Sequence, residues 1–122
     1  MMSHAAAARS LYGTEKNTVD EVLNDVQQSH VSEKLKALLN IAGKVQILGK
    51  EVTEADVAEA RKQGANDREI HDTVLIAATF SMYNRYVDGL DTWAPDDPDF
   101  YISRASHIAE QGYSVSPIEK KN

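Results

Sequence analysis

The stretch Ile70-His71-Asp72-Thr73-Val74-Leu75-Ile76-Ala77-Ala78-Thr79-Phe80-Ser81-Met82-Tyr83 decides how the rest of the chain is read. Wound as a helix, it spreads Ile70, Val74, Leu75, Ile76, Ala77, Ala78, Phe80, Met82 and Tyr83 over nearly every side. A helix apolar all round is one that is covered all round. The segment is therefore predicted to be the central, fully packed helix of the protein. Asn66, with Glu69 three residues on, makes a capping-box start for it, and Gly89 marks its end.

The neighbouring segments also read as helices. Upstream, Thr53 opens a helix holding Val57, Ala60 and Arg61, broken at Gly64. Before it, Val31 to Leu48 places Leu35, Leu38, Leu39, Ala42, Val45 and Leu48 on one face, with Ser32 as N-cap and Gly49 as stop. Val19, Val22, Leu23 and Val26 follow the i, i+3, i+4, i+7 rule behind a Thr18–Glu21 capping box. Downstream, Asp91–Asp97, with Trp93 and Pro95, reads as a loop. Asp97 then caps, and Pro98 begins, a last helix that ends at Gly112. No alternation of period two is long enough for a strand. The fold class is all-α, a single-domain unit of about five helices. Residues 1–13 read as a frayed leader, 14–114 as the helical domain and 115–122 as a loose tail.

Composition narrows the function. A chain of 122 residues is one domain, and 42% apolar with 26% charged residues is the balance of a globular protein. A domain this small buries about 60–70% of its unfolded surface. Four short helices cannot cover an all-round apolar fifth, so a second subunit is expected over part of it, and the protein is read as a homo-oligomer. With 19 acidic against 13 basic residues the net charge is −6, which gives no general attraction to nucleic acid or to an anionic membrane. No window approaches the roughly 18 uninterrupted apolar residues of a membrane helix. Met1 to Leu11 lacks the basic flank and apolar run of a signal peptide, so a cytoplasmic location is expected. There is no cysteine, which excludes disulfides, thiolate metal sites and every sulfur nucleophile.

Few residues carry chemistry. None of His4, His30, His71 and His107 lies at i, i+4 from another, so no metal or cofactor is predicted. His107 and Glu110 are i, i+3, but a di-metal carboxylate site needs a second such element, and a solvated pair is the plainer reading. His71, beside Asp72, is a candidate acid or base, against a half-exposed first-turn residue. Tyr83, Asn84, Arg85, Tyr86 and Asp88 form the densest polar cluster in apolar surroundings, and Tyr83, Asn84 and Arg85 are the candidate binding residues. Arg85 can pair with Asp88 or clamp a carboxylate ligand, and a subunit contact is the blander role. The stretch 56–77 has a helix-turn-helix rhythm, but residues 70–80 are too apolar to read a major groove, and DNA binding is rejected.

Leu38-Leu39-Asn40-Ile41-Ala42, Ala58-Glu59-Ala60-Arg61 and Gly64-Ala65-Asn66-Asp67-Arg68-Glu69-Ile70 follow one another in an order that resembles the carboxymuconolactone decarboxylase and alkylhydroperoxidase D-like family. Ile76-Ala77-Ala78-Thr79-Phe80, then Asn84-Arg85 and Gly89, resemble its peroxidase-related branch, and the likeness covers roughly residues 32–90. The resemblance implies an all-α unit that assembles as dimers, trimers or hexamers. Thiol-active members carry Cys-x-x-Cys-x-x-x-His. Laid on this chain without gaps, that motif falls on Gly49, Val52 and Asp56, and the peroxidase branch's proton-relaying glutamate falls near Ala37. Neither glycine nor valine can cycle as a thiolate, so thiol peroxidase chemistry is excluded.

Three functions follow as expectations. The first is a non-catalytic, homo-oligomeric member of that family without its redox pair. It would take a small acid or another protein through Tyr83, Asn84, Arg85 and His71, or pair with a cysteine-containing family subunit. The second is a cofactor-independent acid–base enzyme, decarboxylase-like, on a small carboxylate or lactone. There His71 or Asp56, its pKa elevated, would move the proton and Arg85 would hold the anion. The third is a pure interaction module.

Overall fold

The computed structural model describes residues 2–13, 17–91, 93 and 95–112. Six α-helices run through them: α1 Met2–Tyr12, α2 Asn17–Asn24, α3 Glu33–Ile47, α4 Glu54–Lys62, α5 Asp67–Gly89 and α6 Pro98–Gln111, with a 3-10 turn at Gly49–Glu51. There is no strand among the described residues.

The helix punctuation follows local chemistry. Ser32 accepts from the Leu35 N–H at the start of α3. Thr53 and Asp56 make a reciprocal capping box for α4, and Asn66 and Glu69 make one for α5. Between those two helices the Ala65 N–H reaches the Ala60 carbonyl and the Gly64 N–H the Arg61 carbonyl, both at 2.9 Å. This is the Schellman pattern, and it needs the left-handed backbone that Gly64 supplies at φ 95°. The capped residues Ala60 and Ala65 are both buried, so the turn brings its own methyl groups into the core. Asp97 caps α6 with Pro98 in its first turn.

The main core lies among α3, α4 and the start of α5. Leu38, Ile41, Ala60 and Ala65 are buried together, and Ala37, Val45, Val52 and Ile70 pack around them. Lys34, early in α3, meets Glu69, early in α5. Lys44, late in α3, meets Asp56 at the start of α4. α3 and α5 therefore run side by side in the same direction, and α4 returns the chain between them. A second packing joins α1 to α6 through the buried Ala6, Ala7 and Ala105. α1 also leans on α5, where the His4 and Phe80 rings meet edge to face at 4.6 Å.

Several sequence expectations change. Residues 2–12, read as part of a frayed leader, form α1. Their contact surface is alanine methyl groups, which a search for Leu, Ile and Val periodicity does not count. Thr18 does not cap α2, which already begins at Asn17, and Val26 lies beyond its end. Glu21 instead accepts from the His30 N–H and contacts His30 Nδ1 at 2.8 Å. The largest change concerns α5: no residue of this helix is buried, so it is not the fully packed centre of the chain. It presses one side on α3 and leaves the other bare. The tail, 115–122, lies outside the described residues, as do positions 92 and 94 of the Asp91–Asp97 loop.

Ile41 is fully buried, whereas Leu75 is 55% exposed. Ile41→Ala should lower the unfolding free energy by about 2–5 kcal/mol, the usual loss for a truncated core aliphatic. Leu75→Ala should cost well under ~1 kcal/mol at dilutions where the chain is monomeric. Urea denaturation of both variants at low concentration checks the contrast.

Candidate functional site

The five candidate residues occupy separate places. Asp56 is the third residue of α4 and is fully engaged. Lys44 Nζ donates to its two carboxylate oxygens at 2.8 and 2.7 Å, Asn40 Nδ2 donates at 3.0 Å, and the Thr53 N–H and hydroxyl donate at 2.8 and 2.9 Å. The Lys44 ammonium, then the Thr53 N–H, hold its pKa far below the ordinary carboxylate range. A proton-moving Asp56 required the opposite shift; this carboxylate stays an anion and serves as a cap. The sequence carried the signal in Thr53-x-x-Asp56, a capping-box spacing.

His71 stands in the first turns of α5 with its side chain 71% exposed, and Nδ1 lies 3.1 Å from Asp72 Oδ1. Arg85 is fourteen residues further along the same helix, which is about 21 Å of axial rise. The two cannot hold one small ligand. Tyr83, Asn84 and Arg85 are consecutive, so about 100° of rotation separates each from the next. Tyr83 faces solvent at 54% exposure, Arg85 is exposed without an ion pair to the described residues, and Asn84 alone turns towards a cavity. The Arg85–Asp88 pairing expected from spacing is not formed among the described residues. The positions matched to the family's redox motif have structural roles: Gly49 opens the 3-10 turn, while Val52 and Ala37 pack against the core.

The cavity beside Asn84 is a cleft of about 370 Å³ between α1, the turn after α2, α3 and α5. Val26, Leu39, Ala42, Ala77 and Phe80 form its apolar walls. Gln46, Ser81, Asn84 and His4 bring polar groups to it, and among the described residues no carboxylate, lysine or arginine lines it. Ser81 donates its hydroxyl to the Ala77 carbonyl at 2.8 Å and keeps its acceptor capacity. Gln46 and Asn84 make no side-chain hydrogen bond to other described residues, so both amides are available. Desolvation, and after it the positive charge at the N-terminus, lowers the pKa of His4 below its ordinary value, which favours the neutral ring at pH 7. Gly43 sits mid-helix on the wall, and a β-carbon there would meet nothing within 4 Å. A helix-interior glycine costs about 0.5–1 kcal/mol relative to alanine, and no packing neighbour among the described residues explains it.

Of these lining groups, only Asn84 was among the candidates read from sequence. His4 was hidden in the supposed leader, and nothing in the local sequence sets Gly43 apart within its helix. A larger hollow of about 500 Å³ lies beside Tyr12, Asn17 and Thr18, where Glu21 is engaged with His30 and Ser32 with the α3 N-terminus. Among the described residues no three His, Asp or Glu side chains gather as a metal site, and no helix is long and apolar enough to cross a membrane. No family model, curated protein or solved structure matches the chain.

Lys34 lowers the pKa of Glu69 as Lys44 does that of Asp56, in each case chiefly through the lysine hydrogen bond. Because both folded-state values lie below the unfolded ones, the stabilisation is complete above the ordinary carboxylate range, about pH 4, and fades as the pH falls below it. Asp56→Asn and Glu69→Gln retain a capping amide but lose the charge. Each variant should unfold at lower urea concentration than the parent at pH 7, and that gap should narrow between about pH 5 and pH 2. A gap independent of pH would show that the lysine pairs contribute nothing.

Proposed function

We propose that this chain is a non-catalytic, homo-oligomeric helical protein, a cysteine-less member of the carboxymuconolactone decarboxylase and alkylhydroperoxidase D-like family that it resembles. The observation that carries the reading is the outer side of α5. Leu75, Ile76, Met82, Tyr83, Tyr86 and Leu90 are each more than half exposed, on the side turned away from α3. From Thr73 to Asn84, twelve residues, there is no charged side chain. The Thr79 hydroxyl on that side donates back to the helix, to the Leu75 carbonyl at 2.8 Å.

The six side chains offer roughly 600 Å² per copy, more than a soluble monomer ordinarily exposes in one patch and close to the ~800 Å² per partner of a standard interface. Ile76, Tyr83 and Leu90 are spaced by seven, with Thr79 and Tyr86 between them, which is the seam of a helix packed lengthwise on its own copy. A second copy satisfies such a seam without any other partner. The catalytic alternative has no comparable support: its proposed base is a committed cap, and its proposed anion clamp is a helix length from its proposed acid.

Light scattering at tens of micromolar should give a mass of two or more chains. Leu75→Lys with Met82→Lys should reduce it to one chain while leaving the helical circular-dichroism signal intact. Hydroperoxide mixed with the protein and a dithiol reductant should show no turnover above the protein-free rate. A monomeric parent chain, or clear peroxide consumption, overturns the reading.

A further inference from the structure

We propose that the cleft between α1, α3 and α5 is a binding site for a small, uncharged, amphipathic molecule: an apolar ring or short chain bearing a neutral hydrogen-bonding head such as a carboxamide. The inference is independent of the oligomer, because the cleft uses the α3-facing side of α5 (Ala77, Ser81, Asn84) and the proposed interface uses the opposite side.

The volume, about 370 Å³, falls within the range of small-molecule sites. Its walls are chemically graded. Because α3 and α5 run in the same direction, Leu39, Ala42 and Ala77 lie together towards one end, and Gln46, Ser81 and Asn84 gather at the other. An apolar body therefore fits beside the Phe80 ring while a polar head reaches the two amides. Together those amides offer both donors and acceptors, which matches a group that does both and is not matched by a bare anion. Among the described residues no side chain of the lining is a lysine or arginine that could compensate a carboxylate, and the one titratable side chain among them, His4, has its neutral form favoured by desolvation. A carboxylate would lose hydration there without gaining an ionic side-chain partner among the described residues. Gly43 gives the space: its missing side chain opens the wall next to Ala42, and His4, held edge-on against Phe80, closes the cleft from α1.

The test compares matched ligands. 3-Phenylpropanamide and octanamide, with 3-phenylpropanoate and octanoate, are titrated into the full chain at pH 7.5 and followed by protein NMR shifts. The amides should saturate in the submillimolar range and move resonances of Gly43, Ala77 and Phe80, and the carboxylates should bind at least about tenfold more weakly. Gly43→Leu fills the space and should abolish binding of all four. Asn84→Leu keeps the apolar volume and should narrow the amide-over-carboxylate preference to within about threefold. Circular dichroism of both variants confirms the helices, and either variant alone decides if the other fails to fold. Absence of saturable shifts with any ligand, carboxylates binding as well as amides, or unchanged binding by Gly43→Leu each overturns the proposal. None of these results bears on the mass measured by light scattering.

Discussion

Two lysines on one helix hold the fold in register. Lys34 and Lys44 sit ten residues apart on α3, about 15 Å along its axis. Each grips the carboxylate that closes the capping box of a later helix, Glu69 of α5 and Asp56 of α4. A capping carboxylate already has a fixed place, three residues into its helix, with its oxygens turned back towards the entering chain. Adding a lysine from α3 converts that local stop signal into a tertiary constraint. It fixes where α4 begins relative to the end of α3, and where α5 begins relative to its start. The core of Leu38, Ile41, Ala60 and Ala65 then closes between the two anchor points.

That dependence explains what could be read from the sequence. Ser32, Thr53, Asn66 with Glu69, Gly64 and Asp97-Pro98 mark helix ends by interactions within a few residues of each other, so the boundaries of α3 to α6 are legible locally. α1 is not, because Ala5 to Ala8 carry no strong amphipathic pattern, and their burial depends on α6, nearly a hundred residues away. Thr18-x-x-Glu21 has the same spacing as a working capping box, yet His30 captures the glutamate. Spacing says what a side chain can reach, and a competing donor from outside the window decides what it does reach.

The candidate site was less legible than the fold, and α5 shows why. Apolar residues around a whole helix have the same pattern whether the helix is covered by its own chain or by another molecule. Only the disposition of α3 separates the two sides, one against Ala77 and Ser81 and one bare at Leu75, Met82 and Tyr86. Asn84 was legible as a polar group among apolar neighbours, but its grouping with Tyr83 and Arg85 followed chain order, which a helix disperses by rotation. Gly43 and Gln46 join Asn84 only because α3 and α5 run in the same direction, a fact of topology carried by the lysine anchors.

The same economy of charge bears on the acid–base alternative. Each helix from α2 to α6 carries an acidic residue in its first turn, whereas the middle of α5 has no charge on any side. An uncharged helical middle suits contacts that depend on shape and on neutral hydrogen bonds, such as a second copy outside and an amide-bearing ligand within. It is a poor setting for acid–base catalysis, which needs a proton carrier and an anion holder around one substrate. Here Asp56 is locked as an anion by Lys44, while His71 and Arg85 stand on either side of twelve residues that carry no charge at all. An acid–base site on this helix would require a titratable group in that middle, where the α3 contact and the exposed apolar seam leave it only the cleft to occupy.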